Sequence, residues 1–344
     1  MASSSGGCVA CGARIPVGTL ACPRTPLGER PGAGVRRWTP STCAPPLVGR
    51  EAQRARLRAF AAEARRGLGR AAWLVGEAGL GKSRLKDALV EELAGEGFEV
   101  WEGSGMALPG APAGPFRELL EATRALRPPP GVGRVSSSDA ELLARFLEGR
   151  ERQGVPASLA AERAALFDAL CHALMPHLRP RLLVLEDWQH ADPLSHALVE
   201  ALVARMSHLP LLLLALQRPG GTAPVPLSAE VLTVGPLSDV EAVSLFDWRA
   251  RSLEVSREAK EALLAGSAGH PLHLLHAITL HEERPGELVP LSGAEALTAR
   301  LEALSPGQRE ALQAASVLGP SFPRPVLGAL VGSYAPLAGL EGGG

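Results

Sequence analysis

Short apolar segments alternate with longer segments whose apolar residues recur at helical spacing, and this alternation runs through most of the chain. Strands are predicted at the short segments, which are residues 71–75, 98–101, 182–185, 211–215 and 231–234. The third and fourth of these are continuously apolar, as strands buried on both faces of a parallel sheet are. The pattern therefore predicts an α/β fold in which helices sandwich a parallel sheet.

Helices are predicted where apolar residues recur every three or four positions. One face of a first, Arg-rich helix is marked by Leu57, Phe60, Ala61 and Ala64. One face of a second helix is marked by Leu85, Ala88, Leu89 and Leu93. Asp192 and Pro193 are typical of a helix start, and an apolar pattern follows them. Further helices are predicted at residues 116–126, 139–149 and 158–178, and beyond Pro236 the pattern is helical only.

Composition and charge narrow the class of protein. Hydrophobic residues make up 46% of the 344 residues and charged residues 21%, so the chain can bury a core and is not disordered throughout. The formal net charge is −1, which gives no overall basic field for nucleic acid. The longest apolar run, residues 209–216, is far shorter than a membrane span, and the N-terminus lacks a signal-peptide pattern. These features predict a cytoplasmic protein without a membrane partner.

A glycine-rich motif follows the first predicted strand and precedes a predicted helix. It reads G-x-x-x-x-G-K-S and consists of Gly76, Glu77, Ala78, Gly79, Leu80, Gly81, Lys82 and Ser83. Glycines let the backbone N–H groups of such a P-loop surround phosphate oxygens at the positive end of a helix. Lys82 would reach the β- and γ-phosphates, and the Ser83 hydroxyl would bind Mg²⁺. The motif predicts a binding site for a nucleoside triphosphate.

Two carboxylates and one arginine follow later strands. Glu186 and Asp187 come directly after the third strand and supply the acidic site that a P-loop needs. One carboxylate would hold Mg²⁺ through water while the other orients the attacking water, and the sequence leaves open which does which. Arg218 follows the fourth strand, where a cation would touch the γ-phosphate; a surface arginine is the alternative interpretation. The candidate catalytic residues are therefore Lys82, Glu186, Asp187 and Arg218.

Six motifs occur in an order that is typical of one family of ATPases. They are residues 47–51 (LVGRE), 76–83, 182–187, 190–193 (HADP), Arg218 and 269–272 (GHPL). Together they resemble the predicted ATPases of the AAA+/STAND group, whose domains occur fused to bacterial adenylate cyclases, serine/threonine kinases and LuxR-type regulators. The resemblance covers about residues 45–330 and implies ATP and Mg²⁺ as cofactors.

The resemblance also implies how the chain is divided. Residues 1–44 would be a degenerate zinc-ribbon-like segment with a Pro/Gly linker, and residues 45–235 would be the P-loop NTPase core. A small helical lid would follow at residues 236–290, and a partial winged-helix-like segment at residues 291–344. In this family the strand that leads into the P-loop is expected near the centre of the sheet.

Further site residues are implied by their positions in the family motifs. Val48, Gly49 and Arg50 would lie against the adenine, and Pro271 would close on the nucleotide from the lid. Arg218 would be the arginine that senses the γ-phosphate. The sequence departs from the family pattern at His190, where tryptophan is expected, and this bears on the geometry of the acidic segment and on the turnover rate.

Four of the five cysteines lie within the first 43 residues. Cys8, Cys11 and Cys22 resemble the ligands of a zinc ribbon, but Thr25 stands where the fourth cysteine is expected. A zinc site completed by Cys43 and a decayed ribbon without zinc both remain open.

The combined interpretation is an ATP-binding signalling switch that hydrolyses ATP slowly to drive a conformational change. One alternative is a nucleotide-binding interaction module without significant turnover, which the altered His190 segment favours. Another is a zinc-ribbon adaptor for nucleic acid or protein, which would need a fourth thiolate. A protein partner or self-oligomerisation is expected for the output, and nucleic acid is not indicated beyond the winged-helix segment. Whether the sequence is a stand-alone switch or part of a longer protein stays open.

Overall fold

The computed structural model of the protein describes residues 45–105, 114–116, 137–148, 159–174, 179–221, 223–283, 301, 304–318 and 324–331. These residues form two compact units. The first unit is Gly49–Gly235, and the second contains residues 45–48 together with the described residues from Pro236 onward. The cysteines of the predicted zinc ribbon lie outside the described residues, as does most of the helix predicted at residues 116–126.

The first unit alternates strands and helices as predicted. Its helices are α1 (Glu51–Arg65), α2 (Lys82–Gly95), α3 (Ser137–Glu148), α4 (Leu159–Leu174) and α5 (Pro193–Arg205). Its strands are β1 (Arg70–Val75), β2 (Glu99–Ser104), β3 (Arg181–Glu186), β4 (Leu211–Gln217) and β5 (Glu230–Thr233). Short 3₁₀ turns follow β3 and α5, at Trp188–His190 and Met206–His208. Each strand lies at a predicted segment, with its ends shifted by a few residues.

All five strands pair in parallel, in the order β2-β3-β4-β1-β5. Every residue of β4 is buried, and so is every residue of β3 except the last, which is why both read as continuous apolar runs. The strand before the P-loop, β1, is an interior strand with β4 on one side and β5 on the other, while β4 takes the central place. The predicted α/β fold with a parallel sheet is confirmed.

The helices bury the faces that the sequence pattern marked. The buried residues of α1 are the four predicted, Leu57, Phe60, Ala61 and Ala64. In α2 the predicted Leu85, Leu89 and Leu93 are buried and the predicted Ala88 is half-buried. The sequence did not predict that Lys86 is buried beside them. A large apolar cluster joins the sheet to α4 and α5, and its buried members include the aromatic residues Trp73, Trp101, Phe116 and Trp188. Each such side chain contributes about 1.5–3 kcal/mol through burial.

The start of α5 confirms the predicted cap. Asp192 Oδ1 accepts hydrogen bonds from the N–H groups of Leu194, at 3.0 Å, and Ser195, at 3.2 Å. Ser195 Oγ donates to Asp192 Oδ2 at 2.6 Å, and Pro193 occupies the first turn, where its missing N–H leaves no bond unmade. The cap fixes the point at which the chain leaves the end of β3 and enters α5.

The regular secondary structure described in the second unit is helical. Its helices are α6 (Asp239–Arg249), α7 (Arg257–Ser267), α8 (Pro271–Glu283), α9 (Pro306–Leu318) and α10 (Arg324–Val331). The first three share one apolar cluster, and Ala311 of α9 and Leu327 of α10 form another. Of the predicted winged-helix segment, the structure describes little more than these last two helices, so that assignment stays a prediction. None of the described helices in either unit is long and apolar enough to span a membrane.

Candidate functional site

The candidate site of the first unit lies at one edge of the sheet. The P-loop follows the last residue of β1, Glu186 ends β3 and Asp187 follows it, and Arg218 comes directly after β4. Because β3, β4 and β1 are parallel neighbours, their carboxyl ends meet at the same edge. The sheet therefore brings the predicted loop, acidic pair and arginine together, although they are up to 142 residues apart in sequence (Gly76 to Arg218).

The shape of the loop depends on its glycines. A Cβ at Gly76 would lie 2.4 Å from the carbonyl oxygen of Val234, so no side chain fits at the first position. Gly79 and Gly81 have φ angles of 80° and 91°, in the left-handed region that glycine adopts without strain. The loop thus turns tightly into α2, which begins at Lys82. Its first-turn N–H groups and positive dipole end suit a phosphate, so the residues present fit a nucleotide.

Lys82 lies over the loop. Its Nζ donates hydrogen bonds to the carbonyl oxygens of Gly76, at 2.7 Å, and Glu77, at 2.9 Å. Partial burial lowers the pKa of Lys82 and the charge of Arg218 lowers it further, while Asp187 and Glu77 act in the opposite direction. Arg218 and Asp187 therefore both act electrostatically on the loop lysine. Ser83, the expected Mg²⁺ ligand, is an exposed residue in the first turn of α2.

The two neighbouring carboxylates have different surroundings. Glu186 Oε1 pairs with the ammonium of Lys86 at 2.8 Å. Asp187 has left-handed backbone angles, with φ 49°, and its Oδ1 accepts a hydrogen bond from Gln189 Nε2 at 3.2 Å. Mg²⁺ is commonly held by one or two carboxylates together with phosphate oxygens, so this pair with Ser83 fits a nucleotide-bound magnesium ion. The two carboxylates therefore differ in their partners: Glu186 pairs with Lys86, and Asp187 is hydrogen-bonded to Gln189.

Lys86 is a site residue that the sequence analysis missed. Its ammonium also pairs with Asp87, at 2.7 Å, and lies 3.5 Å from Glu102, and the residue is only 6% exposed. Burial lowers the pKa of Lys86, but Glu102, Glu186 and Asp87 outweigh burial and raise it above that of an ordinary lysine. The sequence feature that could have identified Lys86 is its place one turn after Lys82, among the apolar residues that α2 buries.

We expect Lys86→Met to destabilise the first unit by roughly 2 kcal/mol. Removing one partner of a fully buried pair costs about 3–5 kcal/mol, and here the carboxylates of Glu102 and Glu186 keep some contact with water. Because the folded-state pKa is raised, the stabilisation is present throughout the neutral range and is lost only as the pH rises past the ordinary lysine value. Urea unfolding at neutral pH would measure it.

The control for this variant is Lys260→Met. Lys260 pairs with Asp247 at 2.5 Å, but both side chains are substantially exposed, so its loss should change stability by less than about 1 kcal/mol. Equal effects of the two substitutions would contradict the assignment of Lys86 as a buried counter-charge.

Gln189 is a second residue that the sequence analysis did not single out. Its Oε1 accepts a hydrogen bond from the backbone N–H of Arg218 at 3.1 Å, while its Nε2 donates to Asp187. His190, where the sequence departs from the family pattern, is exposed at the end of the 3₁₀ turn, whereas Trp188 is buried. The departure therefore falls on a surface side chain and leaves the contacts of Asp187 with Gln189 in place.

Arg50 is hydrogen-bonded to the P-loop within the first unit. It has left-handed backbone angles, with φ 72°, and is 9% exposed. One guanidinium nitrogen, Nη2, donates to the carbonyl oxygens of Leu80, at 3.1 Å, and Gly235, at 2.5 Å. Gly49, which precedes it, also has a positive φ, of 69°. The structure thus gives Arg50 a contact with the loop itself, in addition to the role near adenine that the resemblance implies.

Val48 and Pro271, the remaining predicted nucleotide contacts, belong to the second unit. Val48 packs against the apolar cluster of α6, α7 and α8, and Pro271 is the first residue of α8. Gly269 has a φ of 73°, and a Cβ there would lie 2.4 Å from the carbonyl oxygen of Leu237. The glycine of the GHPL motif is therefore required by a close backbone approach within this unit.

Comparisons with known proteins address the family and the fold of the chain. Residues 46–214 match the family model described as the AAA ATPase domain. No curated protein sequence matches the chain. Among solved structures, a Signal Transduction ATPase with Numerous Domains (STAND) protein with a tetratricopeptide repeat sensor, from Pyrococcus horikoshii, matches 87% of this chain at 14% identity and a TM-score of 0.54. The chain spans only 40% of the length of that protein.

Two further solved structures match with lower TM-scores. The Drosophila ORC bound to DNA has 17% identity and a TM-score of 0.46, over 84% of this chain and 80% of that one. A RuvB variant from Thermotoga maritima has 14% identity and a TM-score of 0.42, over 83% of both chains. The family model matches the part of the chain that contains the P-loop, and the STAND structure shows the fold. The chain therefore carries an AAA ATPase domain, at residues 46–214, on the fold of a STAND-type ATPase.

Proposed function

We propose that the chain is a cytoplasmic ATP-binding signalling switch that hydrolyses ATP slowly. The observation that carries the proposal is geometric: the P-loop with Lys82, the acidic pair with Asp187, and Arg218 follow three parallel neighbouring strands at one edge of the sheet. A phosphate placed over the loop would be met by two cations from separate strands. Such an arrangement suits recognition of the terminal phosphate, which distinguishes ATP from ADP.

The surroundings of each group support a division of roles. Lys82 and the N–H groups of the loop would bind the β- and γ-phosphates, and Ser83 would bind Mg²⁺. Glu186, one of whose oxygens Lys86 already holds, would contact the metal through water. Asp187 interacts with Lys82 and would orient the attacking water, and Arg218 would contact the γ-phosphate. This proposal gives different roles to the two carboxylates, which the sequence alone leaves interchangeable.

The switch itself would involve the second unit. By resemblance, Val48, Gly49 and Arg50 would lie against the adenine, and Pro271 of the helical lid would respond to the nucleotide. ATP would then favour one arrangement of the lid, residues 236–290, and of the partial winged-helix segment, residues 291–344. The output would be recognition of a protein partner or of a second copy of the chain.

The proposal is tested by nucleotide binding and single-turnover hydrolysis on the wild-type chain. With Mg²⁺ present, we expect ATP to bind more tightly than ADP, and phosphate release to be slow but faster than uncatalysed hydrolysis. Tight ATP binding with phosphate release at the uncatalysed rate would make the chain a nucleotide-binding interaction module instead. Absence of binding to either nucleotide would overturn the proposal.

A further inference from the structure

The carboxamide of Gln189 spans the gap between the acidic end of β3 and the segment that follows β4. Its Nε2 lies 3.2 Å from Asp187 Oδ1, and its Oε1 lies 3.1 Å from the backbone nitrogen of Arg218. We infer that Gln189 is a positioning residue that holds Asp187 and Arg218 at one spacing, so that both can act on the γ-phosphate of ATP. The inference rests on the proposed function and adds to it the side chain that links the two groups.

The orientation of the carboxamide follows from its two partners. The backbone N–H of Arg218 is always a donor, and the ionised carboxylate of Asp187 is always an acceptor. With Oε1 toward Arg218 and Nε2 toward Asp187, both hydrogen bonds of Gln189 are complementary. The reversed amide would place two donors together and two acceptors together. Glutamine is thus chemically suited to this place, because one end must donate and the other must accept.

Close backbone packing holds the turn that carries Gln189. A Cβ at Gly221, three residues after Arg218, would lie 3.0 Å from the Cβ of Gln189. On the other side, a Cβ at Gly105, just after β2, would lie 2.4 Å from the carbonyl oxygen of Asp187. A side chain at Gly105 would therefore clash with the backbone of this turn, and one at Gly221 would crowd the Cβ of Gln189. The link from Asp187 through Gln189 to Arg218 is consequently built into the fold on both sides.

The inference predicts a specific defect when the link is removed. ADP lacks the phosphate that Asp187 and Arg218 would act on, so its affinity should stay within about twofold of wild type. ATP gains from the correct spacing of both groups, so the ratio of ATP to ADP affinity should fall about tenfold. The single-turnover rate should fall by at least about tenfold, because misplacing a reacting group by an ångström slows reactions strongly.

Two substitutions at Gln189 test this with Mg·ATP and Mg·ADP. Gln189→Ala removes both hydrogen bonds. Gln189→Glu keeps the shape and the acceptor for the Arg218 N–H but sets a carboxylate against Asp187. It should therefore lower the ratio of ATP to ADP affinity at least as far as Gln189→Ala does. Because Gln189→Glu is isosteric, it remains decisive should Gln189→Ala fold poorly. Gln53→Ala is the control, since Gln53 in α1 donates to the carbonyl oxygen of Thr233 and not to the site.

The outcomes separate this inference from the proposed function. A fall in the ATP to ADP ratio with ADP affinity kept would support the inference, whereas a merely structural role would weaken both nucleotides alike and overturn it. Wild-type ratios in both Gln189 variants would also overturn it, while the ATP-binding function would stand. Failure of the wild-type chain to bind either nucleotide would overturn both.

Discussion

Lys82→Ala is expected to lose most of the ATP affinity of the wild-type chain. Lys82 is the one basic side chain within the loop of residues 76–83, and its ammonium lies over the carbonyl oxygens of Gly76 and Glu77. Truncating one partner of a close, partly desolvated charge pair costs about 2–5 kcal/mol, which corresponds to a loss of affinity of about 30-fold or more. Equilibrium titration with a fluorescent ATP analogue would measure this loss.

A matched control is available because the chain has only three lysines. Lys260→Ala changes the same residue type in the second unit, where Lys260 pairs with Asp247. It should leave ATP affinity unchanged within about twofold, and both variants should melt near the wild-type temperature. ATP affinity in Lys82→Ala equal to that of wild type would show that the loop does not bind phosphate.

Replacing Glu186 and Asp187 together by Gln and Asn is expected to slow hydrolysis far more than it weakens binding. The loop N–H groups, Lys82 and Ser83 would still hold the phosphates, so ATP affinity should fall only a few-fold. Orienting the attacking water acts in the transition state, so the single-turnover rate should fall by about 100-fold or more.

The single variants separate the two carboxylates. Asp187→Asn leaves the ion pair of Glu186 with Lys86 intact, so it should lower the rate with little change in stability. Glu186→Gln removes the charge that Lys86 faces, so it should also lower the free energy of unfolding. If wild type and the double variant release phosphate at the same rate, neither carboxylate takes part in catalysis.

The parts of the fold that could be predicted are those that local sequence determines. Continuous apolar runs predicted the buried strands, helical spacing predicted the buried face of α1, and Asp192 with Pro193 predicted the start of α5. The P-loop was recognisable because its chemistry requires fixed residues at fixed spacing. Each of these signals lies within about fifteen consecutive residues.

The contacts that could not be predicted depend on the order and register of the strands. Lys86 meets Glu186 and Glu102 because α2, β3 and β2 are neighbours, and nothing near Lys86 in sequence specifies that. Gln189 meets Arg218 because β3 and β4 are adjacent. The sequence also left the roles of Glu186 and Asp187 open, since their difference lies in the partners that the folded chain provides.

The close approach of Gly76 to Val234 has a consequence for the thermodynamics of nucleotide binding. The first residue of the loop is confined between β1 and the end of β5, and the N–H of Gly76 is also bonded to the carbonyl oxygen of Gln217 at 3.3 Å. Its conformational entropy is therefore lost when the protein folds and not when a ligand arrives. Since ordering flexible residues opposes association, a loop whose first residue is already ordered lets more of the interaction with phosphate appear as affinity.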